Sequence, residues 1–318
     1  MQSAPLHAVL TDTSRSPEAE LDRCGRAELA TAAYAARHGS QVYQSLKNLT
    51  EVIGTQYGDR VLYELIQNAH DAHTADDHGR ILVRLVVKSP TEGCLYVANG
   101  GAGFRREDVD AIRNLAISGK EIGEGIGNKG LGFRSIEALT DDVQIYSQPG
   151  RTRAERFSGY CFRFANVDEI ANLLIADDVA VPIAKQVATS IPRYLVPRPL
   201  FRHEQPDEVT ALARAGYATV ITLPLRHAEA VGLATEQVRL LADLEVPLLL
   251  FLARIEQVQL EIHLPNRRPI RRYLRRNQTP IAATPPRLQY VRSRRGRGSA
   301  ISHHAPSARP RSGSGCSP

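Results

Sequence analysis

The sequence predicts an α+β fold, a two-layer sandwich in which helices cover one face of a mixed and mostly antiparallel sheet. Segments with the alternation of β-strands are interspersed with segments of helical period, but without the strict strand–helix–strand repetition of a parallel sheet. The chain has 318 residues, of which 42% are hydrophobic, and this is enough for one substantial core. One large domain is therefore expected.

The individual elements are predicted from periodicity and turn residues. Strands, indicated by alternation and by Val and Ile content, are expected at 81–88, 94–99, 143–148, 160–164, 218–225 and 257–264. Helices, indicated by apolar residues three or four positions apart, are expected at 59–72, 106–116, 130–139, 209–217 and 236–244. The polar, glycine-rich segment 117–129 is expected to form a mobile loop.

Charge separates a body from a basic tail. Residues 266–318 contain thirteen arginines and no Asp, Glu or Lys, so the body before them is mildly acidic although the whole chain has a formal charge of +6. We expect a partly helical N-terminal extension at 1–39, a main domain at 40–265 and a disordered tail at 266–318. The tail could contact nucleic acid or another anionic surface through its arginines, or it could simply be a solvated end.

The apolar segments and the cysteines bear on the cellular location of the protein. The longest apolar run, residues 246–253, is too short to cross a bilayer, and the N-terminus lacks the basic start and apolar stretch of a signal peptide. The four cysteines form no C-x-x-C pair, which favours reduced thiols. They are Cys24, Cys94, Cys161 and Cys316. The sequence therefore predicts a cytoplasmic protein without a membrane span.

The glycine-rich segment 125–130 reads GIGNKG and spells the G-x-G-x-x-G of a dinucleotide fold. That fingerprint must follow a strand, and an acidic residue that binds the ribose must come about 20 positions later. Here the loop segment ISGKEIGE precedes the glycines and SQPGRTR follows at that distance. The Walker pattern is also missing, because no Lys-Ser or Lys-Thr follows the last glycine. These two nucleotide folds are therefore excluded.

A different phosphate site remains. Glycines that lead into a helix expose backbone N–H groups at its positive end, and residues 130–133 would open such a helix. In the helix predicted at 59–72, Glu64, Asn68 and Asp71 share one side, where an amide oxygen can bind Mg²⁺ and a carboxylate can polarise water. At the end of a predicted strand, the glycines of 99–103 would let a flat base lie close to the backbone.

Several motifs resemble those of the GHKL ATPases, the family of gyrase, the dimeric heat-shock chaperone, histidine kinases and MutL. ELIQNAHDA (64–72) is similar to the E-x-x-x-N-x-x-D/A helix, NGGAGF (99–104) to the D-x-G-x-G-F box, and IGNKGLGFRS (126–135) to the G-x-x-G-x-G-F-x-S box. Ala218-Thr219 resembles a later Gly-Thr segment. The motifs occur in the family's order across 40–265, and the similarity is greatest to bacterial proteins with a sacsin-type N-terminal nucleotide-binding domain.

The resemblance implies a Bergerat-type sandwich that binds ATP with Mg²⁺. It implies that Glu64 is the general base, that Asn68 is the Mg²⁺ ligand and that Asp71 lies near the nucleotide, while 117–129 forms a lid. It also implies nucleotide contacts by Asn99, Gly101, Gly103, Asn114, Thr219, Gly127, Gly130, Leu131, Gly132 and Phe133. Lys120 or Lys129 would neutralise phosphate charge, unless they are solvated loop lysines.

The sequence departs from the family at two positions. Asn99 stands where the family has the aspartate that accepts a hydrogen bond from the adenine amino group. An Asn carbonyl can still accept this bond, but the charge-assisted part, roughly 1 kcal/mol, is lost. Ala218 replaces the glycine of Gly-Thr, which is a mild change.

Three functions remain open. The first is an ATPase that hydrolyses slowly and couples lid closure to a conformational change. The second is a nucleotide-gated binding module without significant hydrolysis, because sites of this family often need a homodimer or a distant lysine. A histidine kinase catalytic domain is less favoured, because no helix pair with a phospho-accepting histidine is evident upstream. His70, His73 and His78 lack cysteine partners, so they are expected to be solvated rather than metal-bound.

Overall fold

The computed structural model describes residues 16–57, 60–75, 78–114, 135–151, 153–243 and 248–276. Within these ranges the strands form one eight-stranded sheet in the order β5-β4-β3-β6-β2-β1-β7-β8. The strands are β1 (Gly79–Ser89), β2 (Glu92–Asn99), β3 (Gln144–Ser147), β4 (Phe162–Phe164), β5 (Pro197–Pro199), β6 (Thr219–Leu225), β7 (Ile255–His263) and β8 (Ile270–Arg275). All neighbours are antiparallel except β1 and β7. The predicted α+β sandwich with a mixed, mostly antiparallel sheet is confirmed.

The helices surround this sheet. They are α1 (Pro17–Arg37), α2 (Val42–Tyr57), α3 (Val61–Asp71), α4 (Arg106–Asn114), α5 (Val167–Ala176), α6 (Val181–Ser190), α7 (Asp207–Arg214), α8 (Ala228–Asp243) and α9 (Leu248–Phe251). Short 3-10 turns occupy Ser135–Ala138, Arg193–Leu195 and Arg202–Glu204. The last part of the helix expected at 130–139 is thus a 3-10 turn, and its first residues lie outside the described ranges.

The two faces of the sheet carry cores of different size. Successive side chains of a strand point to opposite faces, so Val83 of β1 and Val97 of β2 join the main core beneath the helices, whereas Leu82 and Tyr96 face the other way. On that second face they pack with Val209 and other buried residues of α7. Most helices therefore lie on one face, as predicted, and α7 covers part of the other.

Helix α1 is part of the main core, although its residues fall in the predicted N-terminal extension. It starts at Ser16, whose Oγ accepts a hydrogen bond from Ala19 N at 3.3 Å, and Pro17 occupies its first turn. Leu21 and Leu29 are each 1% exposed and pack in the core. The extension and the main domain thus share one hydrophobic core.

The sheet also continues beyond residue 265, because β8 lies within the predicted tail. Arg271 Nε of β8 donates to Glu261 Oε1 at 3.0 Å, and Arg272 Nη1 donates to Asp243 Oδ1 at 2.8 Å. These partners lie on β7 and α8, so opposite charges fix the arginine-rich strand to the body. Residues 277–318 lie outside the described ranges.

No helix in the described part of the chain combines the length and apolarity that crossing a bilayer would require. Cys24, Cys94 and Cys161 carry free thiols, as predicted, while Cys316 lies outside the described residues.

Candidate functional site

A cavity of about 650 Å³ opens between α3, α4 and the adjoining ends of β2 and β6. Its polar and charged lining residues come from well-separated segments of the chain. They are Asn68, Asp71, His73, Thr74, Asn99, Arg105, Asp108, Thr219 and Arg254. Apolar side chains, among them Leu65, Val97, Ile112 and Ile221, line the rest. An apolar cavity with a few converging polar groups is the usual form of a small-molecule site.

Helix α3 supplies one wall because its two sides differ in chemistry. Leu62, Leu65 and Ile66 are buried in the core, whereas the side chains of Asn68 and Asp71 are only half-buried and line the cavity. The spacing of three and four residues puts the polar pair on one side of the helix. The structure therefore brings Asn68 and Asp71 together at the cavity.

Strands β2 and β6 supply the opposite wall. Asn99 ends β2 and Thr219 begins β6, and the two residues are direct partners in the antiparallel ladder. Both are buried polar residues, with exposures of 7% and 1%, and both line the cavity. Val97 and Ile221 lie two residues away on the same strands, so they share the same face of the sheet and continue it with apolar surface.

The loop after β2 is held by hydrogen bonds on three sides. Ala102 N donates to Ala72 O at 2.7 Å, and Phe104 N donates to the Ser147 hydroxyl at 2.6 Å. Thr219 Oγ1 donates to Ala102 O at 3.4 Å. The loop is therefore connected to α3, β3 and β6, and the cavity wall that it forms is preorganised.

Two glycines of this loop are required by the packing of the chain. A Cβ on Gly101 would lie 2.3 Å from Ala72 O, and a Cβ on Gly103 would lie 1.8 Å from Gln148 O. Neither approach is sterically allowed, so only glycine permits these backbones to lie this close. Gly103 also lines the cavity, although protein backbone occupies the space that a side chain at this position would need. That these glycines let a flat ring lie close to the backbone stays a prediction.

The remaining predicted residues divide into two groups. Glu64 is half-buried on α3, one turn before Asn68, and it does not line the described cavity. Asn114 ends α4. The other group lies outside the described residues, and so does the predicted lid at 117–129. This group comprises Lys120, Gly127, Lys129, Gly130, Leu131, Gly132 and Phe133.

Several residues of the cavity were not predicted from the sequence. Arg254 Nη1 donates to His73 O at 2.9 Å, and His73 Nδ1 donates to Ala69 O at 2.7 Å. His73 is 3% exposed, so the expectation of a solvated histidine is wrong at this position. Asp108 Oδ2 accepts from Arg105 N at 2.8 Å at the start of α4. Helical periodicity could have found Asp108, but no local signal connects Arg254 to α3.

Oxygen donors for a cation are present at the α3 end of the cavity. Asn68 contributes an amide oxygen and Asp71 a carboxylate, of which Oδ1 lies 3.1 Å from His70 Nδ1. Among the described residues there is no group of three or more His, Cys, Asp or Glu side chains arranged to hold a metal ion. The donor set suits Mg²⁺, which keeps several waters and takes one or two protein oxygens together with substrate phosphates.

Comparison with known proteins gives distant similarities. No family model matches the chain. Protein NO VEIN of Arabidopsis thaliana is 26% identical over 215 residues, which cover 67% of this chain but 7% of that protein. Sensor protein ChvG of Rhizobium meliloti (strain 1021) is 31% identical over 101 residues, which cover 31% of this chain and 16% of that protein. The chain thus spans a small fraction of the curated relatives it matches.

Comparison with solved structures also gives a match of low sequence identity. The N-terminal domain of a DNA repair protein matches 70% of this chain and 54% of its own, with a TM-score of 0.33 and 8% sequence identity.

Proposed function

We propose that this chain is a Mg²⁺-dependent nucleoside triphosphate-binding module of the GHKL type, with ATP as the nucleotide that the sequence resemblance implies. The observation that carries the proposal is the convergence of Asn68, Asp71, Asn99 and Thr219 on one cavity of about 650 Å³. These residues come from three distant segments of the chain. Ligand pockets commonly measure about 300–1,000 Å³, so the cavity has a suitable size.

The cavity has a polar end and an apolar end. At the α3 end, Asn68 would bind Mg²⁺, and Asp71 would accept hydrogen bonds from the waters of the ion. Bound Mg²⁺ supplies neutralisation of the phosphate charge. At the sheet end, Val97 and Ile221 offer an apolar surface for a flat base, and Asn99 offers a polar group for its edge. A nucleotide needs a polar surface for its phosphates and an apolar surface for its base.

A binding module without significant hydrolysis is the second candidate, and the position of Glu64 favours it. A general base must come within hydrogen-bond reach of the attacking water, directly or through one further water. Glu64 is half-buried and does not line the described cavity. If Glu64 acts as the base, slow hydrolysis follows, with lid closure coupled to turnover. If it does not, nucleotide binding alone changes the conformation.

A thermal-shift titration with ATP, ADP and GTP, each with and without Mg²⁺, tests the proposal. A ligand raises the melting temperature only if it binds the native state, so we expect a concentration-dependent shift that requires Mg²⁺. Asn68→Ala should abolish the shift. Glu64→Ala should retain it and should abolish any release of phosphate.

Two exposed residues of α2 provide matched controls. Asn48→Ala and Glu51→Ala remove the same functional groups from a solvent-exposed surface, and both should behave like the parent protein. The proposal fails if no triphosphate shifts the melting temperature, or if Asn68→Ala and Asn48→Ala bind equally well. Unchanged turnover in Glu64→Ala would refute Glu64 as the base and leave the binding proposal intact.

A further inference from the structure

The side-chain amide of Asn99 has a fixed orientation. Its Oδ1 accepts a hydrogen bond from Gly101 N at 3.1 Å. A backbone N–H can only donate, so the carbonyl oxygen, and not the NH₂ group, must face Gly101. Rotating the amide by 180° would bring two donors together and leave both unsatisfied.

The backbone around Asn99 does not allow another arrangement. Asn99 O accepts from Ala218 N at 2.8 Å, which holds the residue in the ladder between β2 and β6. Gly101 is packed so closely against Ala72 that a Cβ would lie 2.3 Å from Ala72 O, and Ala102 N donates to that same carbonyl at 2.7 Å. Both ends of the Asn99–Gly101 hydrogen bond are therefore fixed by the fold.

The Nδ2 group of Asn99 is left as a donor without an acceptor among the described residues. Asn99 as a whole is 7% exposed and lines the cavity, but Nδ2 is not one of the fully buried polar atoms that lack a partner, so water in the cavity can accept its hydrogen bond. A ligand with an acceptor at this place keeps the hydrogen bond when it displaces the water, whereas a ligand with a donor there loses it. Asn99 lies on the same face of β2 as Val97, so it borders the apolar surface formed by Val97 and Ile221, on which a base would stack.

We propose that the cavity selects a 6-oxopurine nucleotide, one that carries guanine or hypoxanthine, over an adenine nucleotide. The inference rests on the proposed nucleotide function and names the base of that same site. Position 6 of guanine is a carbonyl acceptor, whereas position 6 of adenine is an amino donor. Asn99 Nδ2 can donate a hydrogen bond to the guanine carbonyl, whereas at adenine it faces the amino group, which is also a donor. An aspartate at position 99 would accept from Gly101 N with one oxygen and offer its second oxygen as an acceptor, which reverses the preference.

The test measures dissociation constants of the full chain for GTP, ITP and ATP in the presence of Mg²⁺. ITP shares the 6-oxo group with GTP but lacks the 2-amino group, so it isolates the contact to Asn99. We expect GTP and ITP to bind about tenfold tighter than ATP, the discrimination that one mismatched buried hydrogen bond provides. Asn99→Asp should bind ATP tighter than ITP.

Asn166→Asp is the matched control. Asn166 caps α5 with its Oδ1, which accepts from Glu169 N at 2.9 Å, and aspartate keeps that acceptor while adding the same charge. This variant should retain the parental preference. The wild-type comparison of ITP with ATP needs no variant, so it remains decisive if Asn99→Asp fails to fold.

The outcomes separate the two proposals. If no triphosphate binds, the nucleotide function is refuted and the base preference with it. If ATP binds as tightly as ITP or tighter, the preference alone is refuted. A folded Asn99→Asp protein that still binds ITP tighter than ATP would also overturn the proposal, because the side-chain amide of Asn99 would then not determine which base binds.

Discussion

Gly103 lies directly against the backbone of Gln148, so that a Cβ at position 103 would be 1.8 Å from the Gln148 carbonyl oxygen and 2.8 Å from Ser147 Oγ. This contact joins the loop after β2 to the end of β3. The same loop forms a wall of the cavity. Its position therefore depends on the absence of one methyl group.

Gly103→Ala is expected to destabilise the protein. The added methyl group meets backbone and cannot be accommodated by a side-chain rotation, so the loop must move, at a cost of about 1–3 kcal/mol in the free energy of unfolding. Urea denaturation measures this change. Gly232→Ala is the control, because the added Cβ on α8 would meet nothing within 4 Å beyond the adjoining helix backbone, and alanine favours helix over glycine by about 1 kcal/mol. Equal stability of Gly103→Ala and the parent would contradict the geometry.

Removing the ion pair between α1 and α4 is expected to destabilise the protein as well. Arg113 Nη2 lies 3.1 Å from Glu28 Oε2, and the two side chains are only 13% and 18% exposed. Glu28→Ala leaves a largely buried guanidinium with one partner fewer, at a cost of about 1–3 kcal/mol. Equilibrium unfolding in urea measures this loss in the free energy of unfolding.

The exposed pair Lys88–Glu92 provides the comparison, with side chains 64% and 57% exposed. Glu92→Ala should change stability by less than about 1 kcal/mol. A double-mutant cycle between Glu28 and Arg113 should give a clear coupling energy. A coupling energy near zero would mean that this ion pair does not stabilise the packing of α1 on α4, which lines the cavity.

Glu261 is expected to make stability depend on acid pH. Burial by itself raises the pKa of this carboxyl, but hydrogen bonds from Arg84 and His263 outweigh burial and hold the pKa below its ordinary value of 4.5. The carboxylate therefore stabilises the fold above about pH 4.5, and this contribution is lost as the pH falls through the lowered pKa.

Glu261→Gln should be less stable than the parent at pH 7, and the difference should shrink at pH 4 and below. Urea unfolding at pH 7, 5.5, 4 and 3 measures the trend. Glu155→Gln, at a side chain that is 82% exposed, should change stability at pH 7 by less than about 1 kcal/mol. If the stability difference between Glu261→Gln and the parent stays constant from pH 7 to pH 3, the Glu261 carboxylate is not its source.

The thiols of Cys161, which is buried, and Cys94, which is half-buried, are expected to be largely unreactive in the native protein. Burial raises the pKa of Cys161 to about 12 and the pKa of Cys94 to about 11. The thiolate is the nucleophile, so at pH 8 almost no reactive form is present. Iodoacetamide at pH 8, followed by peptide mass spectrometry, should label both residues far more slowly in native protein than in urea. Equal labelling rates in the two conditions would show that the fold does not protect these two thiols.

Six of the eight strands are predicted well because their apolar patterns are local. The alternation of β1 and β6 reflects burial that depends on immediate neighbours in sequence. The two edge strands were not predicted, for different reasons. β5 is three residues long with Pro197 and Pro199, which normally argue against a strand, and β8 has the arginine content of a disordered tail. The acidic partners of β8 lie on β7 and α8, and sequence alone does not bring them together.

The candidate site was predictable where it follows helical spacing. Asn68 and Asp71 follow from the period of α3, and Asn99 and Thr219 follow from strand ends combined with the family resemblance. Arg254 was not predictable, because its bond to His73 O joins residues 181 positions apart. Helix α1 had a usable signal, the Ser16-Pro17 start followed by acidic residues, and that signal marks a helix N-terminus on its own.

The composition of the two edge strands has a consequence for behaviour at high concentration. In the described sheet the outermost strands are β5 and β8. An unpaired edge invites a strand from another molecule, but the prolines of β5 carry no N–H to donate, and Arg271 and Arg275 of β8 bring like charges together when two copies meet. Intermolecular growth of the sheet is thus opposed sterically at one border and electrostatically at the other, which protects the folded protein from cross-β aggregation.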